Sequence, residues 1–500
     1  MNSGSCSGIQ EEWLLLTPYV ADPVNVMSPY WMNNSCSPFL SANASCTLGN
    51  LASYAIDVRN ASEVIAGVRF AEENNVRLTI KSTGHDFLGR STGAGSLALW
   101  MHNLKDITFI NYENPWYTGP AVRVGAGVEY GDLYPAANAR GYRVIGGSCL
   151  TVGLAGGFTQ GGGHGPLGGA YGLGADQVLE WEVVTAAGEH LTASPSENAE
   201  LFWALSGGGA GNFAVVLSVT VRAYAEGPVA GAGFALANSG NSTAFWSAVT
   251  SWLQQLLALD DIKGLTTVWA LTPEVLALEY ATLPDAKTTS DLDNALAPFL
   301  DEVAELDVVL VSNYTSNVHA SFAEHYETWA TQTYTSNISL GGRLIPRSTV
   351  QDSADSLPKL VESLRNISDG GAKFVAVAAN FNHSNSVSNA VLPSWRDALL
   401  TLSFARSLVE GADWDAISAN QAQLNEWQRE LREITPGGGT YMNEATWDNV
   451  NWKEDYFGAN YDALLGIKDK YDPQGLFWAN AAVGNDKYWK ATTDGRLCRV

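Results

Sequence analysis

From Gly146 to Gly174 glycine recurs so densely that the segment reads as a stack of loops, and this run constrains the fold more than any other stretch. Glycine lets the backbone approach a ligand closely and adopt positive φ, so that successive N–H groups form concave nests for anions. Two nucleophilic residue types accompany the run. His85 lies in Ile80-Lys81-Ser82-Thr83-Gly84-His85-Asp86-Phe87-Leu88-Gly89-Arg90, and Cys149 in Gly146-Gly147-Ser148-Cys149-Leu150-Thr151-Val152-Gly153. Gly156-Gly157 and Gly161-Gly162-Gly163-His164-Gly165 follow, and Ser206-Gly207-Gly208-Gly209-Ala210-Gly211-Asn212 comes later. Three such loops exceed what a mononucleotide needs and favour a ligand with a pyrophosphate.

Gly163-x-Gly165-x-x-Gly168 has the spacing of a nicotinamide-cofactor fingerprint, which must sit between a strand and a helix. Pro166 interrupts it and no helix is expected to begin there, which sets that class aside. The chain has no Walker loop, no His-Glu-x-x-His and no Gly-x-Ser-x-Gly, and its Cys and His spacing offers no zinc set, so no metal is expected.

Around the run the pattern is α+β. Strands are expected at Ala55–Val58, Val76–Ile80, Ser96–Met101, Ala121–Gly125, Val178–Thr185 and Phe213–Tyr224, with helices at Tyr130–Ala139 and Glu197–Leu205. Asn60 with Glu63 three residues on signals a helix start, with Val64, Val68 and Ala71 on the buried face. After Gly227 the glycine density falls. Strands at Leu265–Leu271, Val275–Ala281 and Lys373–Phe381 alternate with helices at Thr243–Ala258, Asp291–Ala304, Leu357–Ile367 and Ser418–Ile434. The tail reads as a helix over Tyr456–Tyr471, a turn at Asp472-Pro473-Gln474-Gly475 and a short strand over Leu476–Asn480. The expected division is 1–226, opening on an irregular lead-in 1–50 anchored by Trp13 and Trp31; a second unit, 227–440; and a segment 441–500 that returns to the first.

A net charge of −24 repels phosphate backbones and anionic bilayers, and no apolar run approaches the roughly 20 residues a membrane helix needs. Small molecules are the expected partners, and a monomer the expected state. Five cysteines leave one odd: Cys36 with Cys46 and Cys6 with Cys498 are candidate pairs, with Cys149 left over. Sequons at Asn33, Asn43, Asn60, Asn241, Asn313, Asn337, Asn366 and Asn382 fit a glycosylated, secreted protein. The first dozen residues are polar and hold no signal peptide, as in a mature form.

These local sequences resemble the berberine-bridge-enzyme-like branch of the vanillyl-alcohol-oxidase superfamily, and most closely its fungal secreted isoamyl-alcohol-oxidase-like group. Thr83-Gly84-His85-Asp86 resembles the family's histidine loop, with Thr for its first Gly. Cys149-Leu150-Thr151-Val152-Gly153 with Gly156-Gly157 resembles its cysteine loop. Tyr171-Gly172-Leu173-Gly174-Ala175-Asp176 and Gly207–Phe213 resemble its adenine-side segments, and the stretch from Asn451-Trp452 to Asn480 its C-terminal signature.

The resemblance implies a two-subdomain PCMH-type FAD-binding domain and a substrate domain with an antiparallel sheet flanked by helices. It implies FAD bonded at its 8α-carbon to His85 and at C6 to Cys149. The rest of the cofactor set is Lys81, Ser82, Thr83, Gly84, Asp86, Gly89 and Arg90; Thr151, Val152, Gly153, Gly156 and Gly157; Gly163, His164 and Gly172; and Gly211, Asn212, Val216 and Asn480. Lys81 and Arg90 are candidates to meet phosphate. The implied activity is an oxidase: hydride from an alcohol-type substrate to flavin N5, a base taking the hydroxyl proton, and O₂ reduced to H₂O₂. A small residue at Val152 is similar to the oxidases. Tyr441 is the first candidate base and Glu444 the second, while His383 is a weaker cleft candidate. Trp269, Tyr280, Phe374 and Phe381 are candidate aromatic faces for sugars or hydrophobic alcohols. A flavin dehydrogenase or oxidative cyclase, and a non-catalytic secreted binding protein on the same fold, are the alternatives.

Overall fold

The computed structural model describes residues 3–28, 31, 36–41, 43–330, 336–382, 387–409, 411–492 and 497–500. Asn60 caps the helix Ala61–Asn74 by accepting from the Glu63 N–H at 3.2 Å, and Val64, Val68 and Ala71 are fully buried on its inner face. The helix links the first two strands of a small parallel sheet ordered Tyr54–Asp57, Leu97–Trp100, Leu78–Lys81. Leu78–Lys81 runs directly into the His85 loop.

A five-stranded antiparallel sheet follows, ordered Ile107–Glu113, Thr118–Gly125, Val215–Arg222, Val178–Val184, His190–Ala193. Val215–Arg222 is buried along nearly its whole length, Ser218 and Thr220 included. The third sheet has seven antiparallel strands in the order Val309–His319, Val229–Ala237, Val275–Pro284, Thr266–Leu271, Lys373–Ala379, Ala398–Ser407, Ile338–Pro346.

Helices Ser242–Asp260, Ser290–Glu305, Ser356–Asp369 and Trp414–Ile434 cover one face of this sheet, where Trp269, Phe374 and Phe404 pack with Trp252, Phe299, Leu364 and Trp427 in one core. Strand alternation turns Val268, Val375, Val377, Thr401 and Ser403 to the opposite face, which roofs a cavity. The tail joins the other core, which includes Phe457, Leu464, Phe477 and Val483 together with residues of the first two sheets. It is tied there by buried Lys468, whose ammonium meets Asn212 O at 2.5 Å, Phe477 O at 2.8 Å and Asp472 Oδ2 at 2.6 Å. Arg343, on the outermost strand of the large sheet, pairs with Asp455 at 2.8 Å, both buried.

Six of the strands in the two larger sheets were not apparent in the pattern: Ile107–Glu113, His190–Ala193, Val229–Ala237, Val309–His319, Ile338–Pro346 and Ala398–Ser407. Val229–Ala237 is rich in glycine and alanine because Trp329 lies against it; a Cβ at Gly231 would stand 2.6 Å from the indole Nε1. Four expectations are corrected. The lead-in carries helices Ser3–Glu12 and Thr17–Ala21. A single helical turn, Gly168–Tyr171, does begin after Pro166. The tail helix is broken into Trp452–Phe457 and Tyr461–Tyr471 at Gly458, whose φ is 53°. Leu476–Asn480 is irregular rather than a strand. Cys36 and Cys46 form a disulfide with Cα atoms 4.8 Å apart, whereas Cys6 and Cys498 are free.

The glycine loops stack backbone on backbone. A Cβ at Gly165 would stand 1.8 Å from Gly146 O. Gly165→Ala is therefore expected to lower stability by about 1–3 kcal/mol through overpacking, seen as a fall in melting midpoint. Gly466→Ala is the control. It lies exposed in the helix Tyr461–Tyr471 with nothing within 4 Å of its Cβ position, and the substitution should stabilise by about 0.5–1 kcal/mol.

Candidate active site

The His85 loop and the cysteine loop form the floor of a cavity of about 640 Å³ under the seven-stranded sheet, within the usual size of small-molecule sites. At its base His85 Nε2 lies 2.7 Å from Thr151 Oγ1 and 3.9 Å from Cys149 Sγ, and Thr151 Oγ1 is 3.3 Å from the same sulfur. Burial, with Lys81 nearby, lowers the His85 pKa to about 4, so the imidazole is neutral at ordinary pH. Burial pushes the Cys149 thiol up, against hydrogen bonding from Thr151. The residue before the cysteine is gripped twice: Ser148 Oγ lies 2.6 Å from Tyr280 Oη, and Ser148 O accepts from Tyr326 Oη at 2.6 Å.

The segment Tyr441-Met442-Asn443-Glu444 forms one wall. Glu444 Oε1 lies 2.9 Å from His164 Nε2, and its other oxygen accepts from Ser403 Oγ. Burial works to raise the Glu444 pKa, but His164 and the Ser403 hydrogen bond overcome it, so the carboxyl sits below its ordinary range. A quarter of the Glu444 side chain stays open to the cavity. Asn443 Nδ2 donates to Tyr441 Oη at 2.8 Å and to Gly157 O at 2.7 Å. Burial, followed by the Glu444 charge, raises the Tyr441 pKa, so Tyr441 is a neutral phenol.

Of the residues singled out in the sequence, the cavity brings together His85 and Cys149 with Ser82, Thr83, Gly84 and Asp86; Val152, Gly153, Gly156 and Gly157; Gly211 and Val216; and His164, Arg90, Tyr441 and Glu444. Thr151 acts one layer down, through His85 and Cys149. Lys81 does not face the cavity: its fully buried ammonium donates to the carbonyls of Tyr19 at 3.0 Å, Val20 at 3.5 Å and Asp22 at 2.6 Å, clamping the N-terminal segment.

Arg90 spends its donors on Asn480 O at 3.0 Å and Ala481 O at 2.7 Å, so it ties the tail in place. Asn480 itself donates to Leu88 O and Trp447 O. Gly89 makes room for Trp31, Gly163 for the Phe158 ring, and Gly172 ends the turn Gly168–Tyr171. Asn212 supplies a carbonyl to Lys468. His383 lies outside the described residues.

Trp269 and Phe374 point into the helix-covered core, and Phe381 is buried against Trp395. Tyr280 escapes that face because a β-bulge between it and Leu278 inverts the alternation. The residues the sequence reading missed are Asn443, Ser403 and Gln160. Asn443 lies between the candidates Tyr441 and Glu444 and next to the latter, but Ser403 sits on an unrecognised strand.

A group carried by this floor would meet orphaned polar atoms. Gln160 Oε1 and His164 Nδ1 are buried with no hydrogen-bond partner among the described residues, and both residues line the cavity. Together with the glycine backbone they form a donor and acceptor set suited to a polar heterocycle.

Comparison with known proteins accords with this geometry. A family described as FAD binding domain matches residues 52–194, and one described as berberine and berberine like matches residues 440–484. The chain is 42% identical to the bifunctional decalin synthase calF of Penicillium decumbens over 514 residues, covering 100% of this chain and 88% of that protein. The crystal structure of the VAO-type flavoprotein MtVAO615 from Myceliophthora thermophila C1 superposes with a TM-score of 0.94 at 39% identity, covering 100% of this chain and 92% of that one. The fold is also that of glucooligosaccharide oxidase from Acremonium strictum, which carries a 6-S-cysteinyl, 8α-N1-histidyl FAD; there the TM-score is 0.69 at 18% identity, over 87% and 91% of the two chains.

Lys81→Met separates the two roles considered for that cation. It leaves three carbonyls without their charged donor and is expected to lower unfolding free energy by about 2–4 kcal/mol. The cofactor should remain bound, as read by absorbance after desalting.

Proposed function

The chain belongs to the VAO-type, berberine-bridge-enzyme-like family of FAD-linked oxidoreductases and is an FAD-dependent oxidoreductase, and from that premise we propose that it is an alcohol oxidase holding its FAD through both His85 and Cys149. One observation carries the bicovalent reading: His85 Nε2 and Cys149 Sγ lie 3.9 Å apart, although 64 positions separate the residues in the chain. A neutral imidazole and a thiol this close suit two electrophilic positions along the same edge of one flavin, the 8α-carbon and ring carbon C6. Thr151 occupies Nε2 of His85, which leaves Nδ1 for the bond. His85 is the stronger anchor, because its neutral ring already offers one unprotonated nitrogen while the Cys149 thiol must lose a proton.

When bound, the flavin supplies a two-electron acceptor for a substrate hydride and passes the electrons to O₂, giving H₂O₂. The protein supplies the base, the orientation and the exclusion of water. Glu444 replaces Tyr441 as the preferred base, since its carboxyl is ionised and partly open to the cavity while the phenol holds its proton. His164 and Ser403 fix the two carboxylate oxygens, and Asn443 fixes Tyr441 as a donor beside them. Val152 borders the cavity beside Cys149, and its small side chain favours access of O₂ to the site. The reading extends to a secreted glycoprotein, supported by the Cys36–Cys46 disulfide and by exposed sequons at Asn43, Asn60, Asn241, Asn313, Asn366 and Asn382.

Acid-denatured protein is expected to stay yellow, and Cys149→Ala to keep its flavin with an altered visible spectrum; a colourless pellet from the wild type would end the covalent reading. Glu444→Gln should slow anaerobic flavin reduction by roughly 10²–10⁴-fold with the flavin retained. The sign of the pH effect follows from the depressed carboxyl. Glu444 stays ionised as pH falls past about 4.3, the ordinary glutamate value, so the acid limb of kcat/KM lies below that pH in the wild type. The limb should disappear in Glu444→Gln.

A further inference from the structure

The roof of the cavity defines the chemistry of the substrate, an inference that rests on the oxidase reading above. Its surface is set by strand alternation. Lys373–Ala379 and Ala398–Ser407 pair so that Phe374 lies opposite Phe404 and Val375 opposite Ser403. Both phenylalanines point to the helices and belong to the core there, and Trp269 on the next strand does the same. What faces the cavity is Val268, Ile338, Leu340, Val375, Val377 and Ala405, with hydroxyls only at Thr401 and Ser403. Ser403 is already committed to Glu444. The aromatic rings that line the cavity, Phe87, Phe158 and Tyr441, come from the floor and wall. Among the described residues the roof therefore has no aromatic platform, and over its interior Thr401 is the one hydroxyl not committed to Glu444. Lys373 and Glu279 also border the cavity but are solvent-exposed and of opposite sign, so the rim favours neither charge.

A sugar ring brings several hydroxyls, each needing a partner once water is excluded, and it is usually held on an aromatic face. This roof offers neither. It fits an apolar body through dispersion and exclusion of water, while the Glu444–His164–Ser403 cluster serves one hydroxyl. We propose that the substrate is an alcohol carried on a saturated or branched hydrocarbon skeleton, with one reacting hydroxyl directed at Glu444, and that Val375 and Leu340 enforce this choice. Oxidation removes a hydride from the carbinol carbon to the FAD and a proton from the hydroxyl to Glu444, and leaves a carbonyl. The enzyme thus rejects oligosaccharides through stranded hydroxyls rather than through size.

The test uses the flavin-loaded full chain with cyclohexylmethanol and cellobiose as probes. Titration under anaerobic conditions is followed by the visible flavin band, which reports binding as a saturable perturbation and turnover as bleaching. Cyclohexylmethanol is expected to perturb or bleach the band at concentrations at least 100-fold below those needed for cellobiose. Val375→Thr keeps the volume and adds one hydroxyl, and should narrow that ratio roughly tenfold, a size ordinary for one buried polar group. Leu340→Asn should narrow it in the same direction. Cellobiose acting equally well or better overturns the proposal, as does a band that neither probe perturbs or a ratio unmoved in both variants. A preparation without protein-bound flavin would instead overturn the reading of the site, so the two failures are distinguishable.

Discussion

The site depends on backbone packed against backbone where no side chain intervenes. At Gly165 an added Cβ would meet Gly146 O at 1.8 Å, and at Gly342 it would meet Glu444 O at 2.2 Å. The first approach holds the His164 segment against the start of the cysteine loop. The second holds the Glu444 segment against the edge strand of the large sheet. The His164 and Glu444 side chains stand on main chain fixed this way, and the contact distances leave little freedom to adjust. Glycine density is thus a packing requirement here as much as an anion-binding one.

The floor of the site was legible in the sequence and the roof was not. His85, Cys149, the glycine pairs and the Tyr441–Glu444 segment are contiguous in short stretches, where residue type and spacing carry the information. The roof is assembled from strands far apart in the chain, and two of its contributors, Ile338–Pro346 and Ala398–Ser407, lack a strong turn-bounded signal. Aromatic residues on strands misled for a related reason. Period-2 alternation says that Trp269 and Phe374 share faces with particular neighbours, but nothing local says which face is covered by helices. A bulge then placed Tyr280 on the face opposite to Leu278. Register and bulges are long-range outcomes, so the substrate surface becomes readable only once the sheet is assembled.

Cations followed the same division. A lysine and an arginine flanking a glycine loop suit a phosphate, yet Lys81 and Arg90 turn to backbone carbonyls of the N-terminal segment and the tail. Lys468 does likewise, and Arg343 joins an outer strand to Asp455. In a chain with 28 basic against 52 acidic residues, these buried cations tie together segments from 59 to 391 positions apart. Burial makes such ties costly to form and costlier to break, since losing one partner strands the other without solvent. Their effect is to fix where the chain ends meet the His85 loop, which is a structural role with a functional consequence.

The position of Cys149 depends on the sheet as well as on the loops. Tyr134 Oη donates to Gly147 O at 2.9 Å, while Tyr280 and Tyr326, from the other part of the structure, hold Ser148 by its hydroxyl and its carbonyl. All three phenols are buried, so the bonds are sheltered from competing water and strengthened by the low local dielectric. The thiol that they align carries its proton more tightly than usual because it too is buried. On the proposed bicovalent reading, the bond at that sulfur depends on placement rather than on an enhanced thiolate fraction, and placement is what the surrounding hydrogen bonds provide. The same logic governs Glu444, whose ionisation persists in a buried wall only because His164 and Ser403 meet both of its oxygens. Both groups take their position and protonation state from neighbours that the fold brings in from distant parts of the chain.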